Sequence, residues 1–312
     1  MRSVYADTLV ELGQSCNEIV CVGADTTESI KTKKFGDRYP DRMFNVGIAE
    51  ANLVSIAAGL AIAGKTAFAS TYAAFLPGRC LDQIRNTICY PNLNVKLVVS
   101  HAGLTVGPDG ASHQQIEDFS TMRSIPNMRV VVPADAVSVR HLIRAIAKTP
   151  GPFYVRLARP SSEVIYAESA VFDLSKGNIL REGSDATIIS CGLMVARSLE
   201  AAEILKRNEA ISCRVIDMFS IKPIDKDLIV GCARDTGAIV TAEEHNIIGG
   251  LGGAVAEVST ESYPVHMRRI GIHDSFGESA RDEEIELLLE KYALTSTKIA
   301  QAVIETRRRI KK

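Results

Sequence analysis

Short apolar runs alternate along the first half of the chain with segments of helical periodicity. The runs that indicate buried strands cover residues 18–25, 66–70, 95–100, 128–135 and 152–158. Between them, apolar positions recur every three or four residues, as on the buried face of a helix. Buried strands that alternate with helices predict parallel β-α-β units.

The alternation pauses after residue 160, where Pro, Ser and Gly occur without a sustained period. It resumes with strand-like runs at 185–192, 212–221, 237–244 and 265–272, again with helical segments between them. We therefore predict the α/β class, with two consecutive α/β domains that contain mainly parallel sheets. The predicted domains are residues 1–165 and 183–312, joined by a linker at 166–182.

Composition narrows the class of protein. Of the 312 residues, 46% are apolar and 23% are charged, which is typical of a soluble globular protein. The net charge of −1 gives no electrostatic reason to expect a nucleic-acid or membrane partner. Seven cysteines without a C-x-x-C pair favour a reducing, cytoplasmic setting. No metal-binding motif of the H-E-x-x-H kind occurs, so we expect no metal site in this chain.

One carboxylate stands at the head of a very apolar segment, VGIAEANLVS at residues 46–55. The apolar positions that follow Glu50 recur at helical spacing, so Glu50 is expected in the first turn of a helix. Its position alone is explained by a favourable interaction with the helix dipole, worth roughly 0.3–1 kcal/mol.

A glycine-rich loop with two histidines follows the predicted strand at 95–100. His101 and His113 lie 12 residues apart in SHAGLTVGPDGASHQQIED. Loops beyond the carboxyl ends of parallel strands are where open α/β sheets bind ligands. The residue types alone fit three roles for these histidines: metal ligands, proton carriers or ordinary polar loop residues. The lack of a metal-binding motif nearby disfavours the first role.

Four segments, in this order and spacing, carry a family resemblance: FNVGIAEANLVSIAAGLA, STYAAF, SHAGLTVGPDGASHQQIED and VVVPAD. They resemble the pyrimidine-binding domain of transketolase, and the second half of the chain resembles the transketolase C-terminal domain. The length is similar to that of the C-terminal subunit of a split transketolase, in which two chains make up the enzyme. The resemblance covers essentially the whole chain.

The resemblance implies thiamine diphosphate as the cofactor. In this family the glutamate that matches Glu50 hydrogen-bonds the aminopyrimidine ring and promotes its imino tautomer. Burial suits this role, because desolvation strengthens a hydrogen bond between the carboxylate and a ring nitrogen. Tyr72 and Phe75 match aromatic residues that pack on the pyrimidine. A third aromatic of the family is replaced here by Gly78, so another residue must complete the pocket wall.

The resemblance also implies a substrate channel. His101 and His113 match histidines that hydrogen-bond the sugar and transfer protons. Asp109 matches a carboxylate that binds a substrate hydroxyl, although a PDG sequence is also a common turn.

Two further positions match residues that hold the phosphate of a sugar phosphate. These are Ser29 and Arg159, although Arg156 is close enough in sequence to take the arginine role. Asp25, after the first strand, is expected either near the cofactor or as a helix N-cap.

The glycine-rich segment TAEEHNIIGGLGGAVAE lacks the G-x-G-x-x-G register of a dinucleotide loop. We interpret its glycines as permitting close packing of strand and helix. His245 and His273 are expected to be structural or interfacial.

The family holds the cofactor's diphosphate through Mg²⁺ bound by a G-D-G motif, which this sequence lacks. The resemblance therefore implies a partner, an N-terminal transketolase subunit that carries the Mg²⁺ site, and a dimer of heterodimers. The implied reaction transfers a two-carbon ketol unit from a ketose phosphate to an aldose phosphate. The alternatives are a 1-deoxyxylulose-5-phosphate synthase, a 2-oxoacid dehydrogenase β-subunit, and a non-catalytic regulatory or binding subunit.

Overall fold

Two mainly parallel sheets organise the chain, and the computed structural model describes residues 1–310. The α/β class and the two-domain arrangement with mainly parallel sheets, both predicted from the sequence, are confirmed. No helix within these 310 residues has the length and apolar character needed to cross a membrane. The seven cysteines are free, and all except Cys16 are buried.

The first sheet has seven strands. They are Ile19–Gly23 (β1), Met43–Asn45 (β2), Thr66–Tyr72 (β3), Val95–Ser100 (β4), Arg129–Val131 (β5), Phe153–Arg156 (β6) and, from the second half of the chain, Ser220–Lys222 (β10). Their order is β10-β5-β6-β4-β3-β1-β2. The strands are parallel except β10, which pairs antiparallel with β5.

The second sheet has five strands. They are Asn178–Arg181 (β7), Ala186–Ser190 (β8), Cys213–Asp217 (β9), Ala238–Asn246 (β11) and His266–Ile272 (β12). Their order is β12-β11-β8-β9-β7, and only β7 is antiparallel to its neighbour. The segment 166–182, predicted as a linker, thus includes an edge strand of this sheet. The run at 212–221, predicted as one strand, is two strands that belong to different sheets.

Eleven α-helices cover the sheets within the described residues. They are Arg2–Ser15 (α1), Thr27–Ile30 (α2), Lys33–Arg38 (α3), Glu50–Ile62 (α4), Asp118–Ser124 (α5), Ala136–Lys148 (α6), Met194–Glu209 (α7), Lys226–Thr236 (α8), Leu251–Ser262 (α9), Ile285–Lys291 (α10) and Ser296–Ile310 (α11).

Local sequence explains where several helices begin and end. Asp135 caps α6, since its side chain accepts a hydrogen bond from the Ser138 backbone and Ser138 reciprocates in a capping box. Asp225 caps α8 by accepting from the Leu228 backbone, and Gly237 ends that helix in the left-handed conformation.

Helix α4 is apolar around most of its circumference. Such a helix is normally buried on all sides. Here Leu53, Val54 and Ala57 pack into the core of the first domain. The opposite side is exposed, and we call it the α4 outer face; its residues are Ala51, Asn52, Ser55, Gly59 and Ile62.

Candidate active site

The predicted site residues gather at one edge of the first sheet. Glu50 begins α4 after β2, Tyr72 is the last residue of β3, and His101 directly follows β4. Arg159 lies three residues beyond the end of β6. Because these strands are parallel, their carboxyl ends open on the same edge, which is the ligand-binding edge of α/β sheets.

Glu50 lies in the first turn of α4, as predicted, and only 6% of it is exposed. Its Oε2 lies 3.4 Å from Nη1 of Arg79, a half-exposed side chain. The Arg79 guanidinium also covers the ring of Phe75, at 4.3 Å from the ring centre. Arg79 was not predicted as a site residue, although it stands directly after Gly78, where the family's third aromatic is missing. The Arg79 guanidinium thus lies between the Glu50 carboxylate and the Phe75 ring, next to the position of the missing aromatic.

Four rings form a connected group beside Glu50. Tyr72 stacks on His101 with ring centres 3.9 Å apart, and on Phe75 at 5.6 Å. Phe75 meets His113 edge-on at 5.2 Å. The structure thus brings together the aromatic pair predicted for the cofactor and the histidine pair predicted for the substrate.

His101 is held in an unusual conformation. Its φ angle of 59° is in the left-handed region, which non-glycine residues seldom adopt. Its Nδ1 shares a hydrogen bond of 3.0 Å with Ser100 Oγ. Burial, and then the charges of Arg2 and Arg159, lower the pKa of His101 to about 3. The imidazole is therefore neutral near pH 7, so one ring nitrogen donates and the other accepts.

A cationic side chain lies near the Tyr72 hydroxyl. Ser29 Oγ shares a 2.6 Å hydrogen bond with the Tyr72 hydroxyl, and Arg2 Nη1 donates to the Ser29 carbonyl at 2.8 Å. Burial and the nearby charge of Arg159 lower the pKa of Arg2. Arg2 was not predicted as a site residue, because its position at the start of α1 carries no functional signal. Arg2 therefore contacts the predicted phosphate residue Ser29, and Arg2 and Arg159 line the same cleft.

Arg159 is paired within this chain. Its guanidinium forms two hydrogen bonds with the carboxylate of Asp282, at 2.6 and 3.1 Å, and these raise the pKa of Arg159. Asp282 comes from the second domain and was not identified in the sequence. Asp109 is exposed in the loop between His101 and His113, where its charge acts on Arg159 without a direct hydrogen bond between the two.

Arg156, the alternative to Arg159, lies elsewhere. It is 6% exposed, and its Nε donates to Asp118 at 3.0 Å while Nη2 donates to the Glu244 carbonyl at 2.8 Å. Its guanidinium also lies over the Phe119 ring, at 4.7 Å. Arg156 therefore joins the two domains, and its donors point away from the site.

Asp25 occupies the turn after β1. Its backbone N–H donates to Asn45 Oδ1 at 3.0 Å, and its φ angle of 57° is left-handed. The N-cap of α2 is Thr26, so the helix-cap alternative for Asp25 is wrong. The role of Asp25 near a cofactor stays a prediction.

The glycine-rich segment of the second domain packs a helix against a strand. A Cβ atom on Gly250 would lie 2.0 Å from Glu243 Oε2, and one on Gly252 would lie 2.7 Å from Thr241 Oγ1. His245 is fully buried and stacks on Phe119 at 4.6 Å. Burial lowers the pKa of His245 to about 4. The close-packing interpretation is confirmed for Gly250 and Gly252, whereas a Cβ atom on Gly253 would meet no atom within 4 Å. His245 lies in the domain junction.

Comparison with known proteins identifies relatives of both halves of the chain. The family model of the transketolase pyrimidine-binding domain matches residues 1–163, and that of the transketolase C-terminal domain matches 175–299. A putative transketolase C-terminal section from Methanocaldococcus jannaschii is 46% identical over 308 residues, which cover 98% of this chain and 95% of that protein.

Two other comparisons point the same way. The 6-deoxy-6-sulfo-D-fructose transketolase subunit SqwH of a Clostridium species is 40% identical, with 99% of this chain and 95% of that protein covered. A solved structure described as a split-gene transketolase, an inactive β4 tetramer, superposes with a TM-score of 0.89 at 46% identity, covering 98% of this chain and 97% of that one. The resemblance found in the sequence is confirmed. The chain belongs to the transketolase family, and its two domains are that family's pyrimidine-binding and C-terminal domains.

Proposed function

We propose that this chain is the C-terminal subunit of a two-chain, thiamine-diphosphate-dependent transketolase. It would transfer a two-carbon ketol unit from a ketose phosphate to an aldose phosphate in the cytoplasm, with pentose-phosphate sugars as the first substrates to test. The observation that carries this proposal is the buried Glu50 carboxylate beside the Tyr72, Phe75, His101 and His113 rings at one sheet edge.

The site fits the pyrimidine half of the cofactor. In the described part of the chain the Glu50 carboxylate is bonded only through Oε2, which leaves Oε1 for a hydrogen bond with a ring nitrogen. Tyr72 and Phe75 supply aromatic surface against which a heterocycle can pack. When bound, thiamine diphosphate supplies the nucleophilic carbon and the electron sink of the reaction. Glu50 would hold the ring through a hydrogen bond from its carboxyl group, and Phe75, covered by Arg79, would shield it from water.

The histidines and arginines fit a sugar phosphate. Because Nδ1 of the neutral His101 is bonded to Ser100 Oγ, Nε2 remains for one hydrogen bond with a substrate oxygen. The more exposed His113 exchanges a proton with a hydroxyl at the channel mouth. Asp109 accepts a hydrogen bond from a further hydroxyl. Arg2, Arg159 and Ser29 hold the phosphate, for which an arginine fork has the matching geometry.

A partner subunit is part of the proposal. No group of three or more His, Cys, Asp or Glu side chains within residues 1–310 is arranged to hold a metal ion. The Mg²⁺ and diphosphate site is therefore assigned to an N-terminal subunit, in a dimer of heterodimers. The α4 outer face supports an interface there, because it exposes Ala51, Gly59 and Ile62 on the helix that begins with Glu50. Ile48, two residues before Glu50, is 79% exposed.

The proposal is tested by titration and turnover. Thiamine diphosphate with Mg²⁺ is titrated into this chain alone and into a mixture with a candidate N-terminal subunit. The mixture is then assayed with xylulose 5-phosphate and ribose 5-phosphate. We expect tight binding and turnover only in the mixture. Tight Mg²⁺-dependent binding by the chain alone would contradict the two-chain proposal. Turnover of pyruvate with glyceraldehyde 3-phosphate would favour the deoxyxylulose-phosphate alternative instead.

A further inference from the structure

Asp282 occupies the hydrogen-bonding fork of Arg159, the residue to which the proposed function assigns the substrate phosphate. Nη1 donates to one carboxylate oxygen at 2.6 Å, and Nη2 donates to the other at 3.1 Å. Arginine holds a phosphate through the same pair of parallel N–H groups. A phosphate and the Asp282 carboxylate therefore compete for one pair of donors.

The approach of Asp282 is built into the loop that carries the two histidines. Gly107 of that loop has a φ angle of 94°, and a Cβ atom there would lie 2.7 Å from Asp282 Oδ1 and 3.1 Å from Arg159 Nη1. Three residues before Asp282, the hydroxyl of Ser279 donates to the Pro108 carbonyl at 2.6 Å. The second domain is thus anchored on the loop, and the missing side chain of Gly107 leaves room for the ion pair.

The hydrogen bond between Ser279 and Pro108 is separate from the ion pair between Asp282 and Arg159. The Asp282 side chain is 61% exposed and the Arg159 side chain 26% exposed, so water reaches both. Exposed ion pairs are weak, on the order of 0.2–1 kcal/mol, and break readily. A phosphate can therefore displace the carboxylate without moving the segment that holds it. The displaced carboxylate stays close, and its charge repels the dianion.

We infer that Asp282 is a specificity-determining residue. It competes with the substrate phosphate for Arg159 and so reduces the difference in affinity between phosphorylated and uncharged sugars. This inference rests on the proposed function, because it takes Arg159 as the phosphate ligand. The terminal hydroxyl of an unphosphorylated sugar gains little binding energy from the Arg159 guanidinium. It also meets no charge repulsion from Asp282. Its binding is therefore insensitive to the Asp282 charge.

The test measures binding to the full chain. Ribose 5-phosphate and ribose are titrated by calorimetry into the wild type, Asp282→Asn and Arg159→Met. Asp282→Asn is expected to bind ribose 5-phosphate about 3- to 10-fold more tightly, from the loss of competition and of repulsion, and to bind ribose unchanged. Glu283→Gln is the matched control. It removes the same charge from the neighbouring residue, and Glu283 lines the same cleft as Asp282 and Arg159. Its effect on the affinity for ribose 5-phosphate should be clearly smaller.

The outcomes separate the two proposals. If Arg159→Met weakens ribose 5-phosphate binding while Asp282→Asn equals the wild type, the Asp282 inference is overturned and the phosphate site stands. If Asp282→Asn and Glu283→Gln tighten binding equally, the effect is general charge removal, and the inference is also overturned. If Arg159→Met binds as the wild type does, the assignment of Arg159 itself fails. Binding of ribose 5-phosphate by neither the wild type nor Asp282→Asn overturns the inference as well. Melting temperatures of all variants exclude misfolding as the cause of a loss.

Discussion

Replacing Glu50 by glutamine removes the acidic group from the head of α4 and preserves the shape of the side chain. Under the proposed function, Glu50 shares a proton with the cofactor ring, and an amide cannot take this role. Loss of a positioned acid or base typically costs about 10²- to 10⁴-fold in rate, which corresponds to about 2.7–5.5 kcal/mol in the activation barrier. We expect the turnover of the reconstituted complex to fall by this factor.

The structure predicts a much smaller effect of Glu50→Gln on folding. The only ion pair of Glu50 among the described residues is with Arg79, at 3.4 Å, and the Arg79 side chain is 55% exposed. Such a pair contributes roughly 0–1 kcal/mol, and the helix-dipole interaction adds about 0.3–1 kcal/mol. The melting temperature should therefore fall by only a few degrees. A large loss of turnover in a folded chain is thus attributable to chemistry.

The assay is ketol transfer by the reconstituted complex, run beside thermal melting of the isolated chain. Glu18→Gln is the matched control, since it makes the same chemical change in an exposed ion pair with Lys65 on the opposite end of the strands. We expect this control to keep full activity. If Glu50→Gln retained more than about a tenth of wild-type turnover, the assignment of Glu50 as the proton-sharing residue would be wrong.

Three other predictions concern single contacts. Arg79→Ala should weaken thiamine diphosphate binding by the reconstituted complex about 2- to 10-fold, because the cation over the Phe75 ring is lost. Unchanged affinity in a cofactor titration would show that Arg79 does not contribute to the cofactor site. Arg156→Met should destabilise the chain by about 3–5 kcal/mol in urea unfolding, because it leaves the fully buried Asp118 carboxylate without its cation, whereas Asp118→Asn together with Arg156→Met should recover part of that loss. Burial raises the pKa of Asp217 to about 8. The folded chain therefore holds a proton that the unfolded chain releases near pH 4. The free energy of unfolding should fall as the pH rises from about 4 to 8, by at most about 1.4 kcal/mol per pH unit. Asp217→Asn can still accept a hydrogen bond from the Tyr166 hydroxyl and should reduce this dependence of stability on pH. Equal pH dependence in the wild type and the variant would contradict the raised pKa of Asp217.

Local sequence patterns predict much of the fold. The buried strands β1, β3, β4 and β6 were found from short apolar runs, because burial on both faces of a parallel sheet requires them. The position of Glu50 in a first helical turn followed from helical spacing alone. The edge strands β2 and β7 were not predicted. Both are partly exposed, so their sequences carry no continuous apolar run.

Most residues of the candidate site were found through its motifs, and three charged residues were not. Glu50, the aromatic pair and the histidine pair each stand in a recognisable segment, and parallel strand ends bring those segments to one edge. Arg2, Arg79 and Asp282 stand in no such segment. Their roles depend on which side chain lies opposite them in space.

Sequence by itself determined the class of the fold, the family and the residues that follow each central strand, because periodicity and turn chemistry act over a few neighbouring residues. Only the tertiary structure decided that Arg156 is buried between domains while Arg159 faces the site, although the two are three residues apart. It also decided that Asp282, 123 residues further along the chain, meets Arg159. Such contacts are set by strand order and by how the two domains pack, and no local pattern in the chain encodes either.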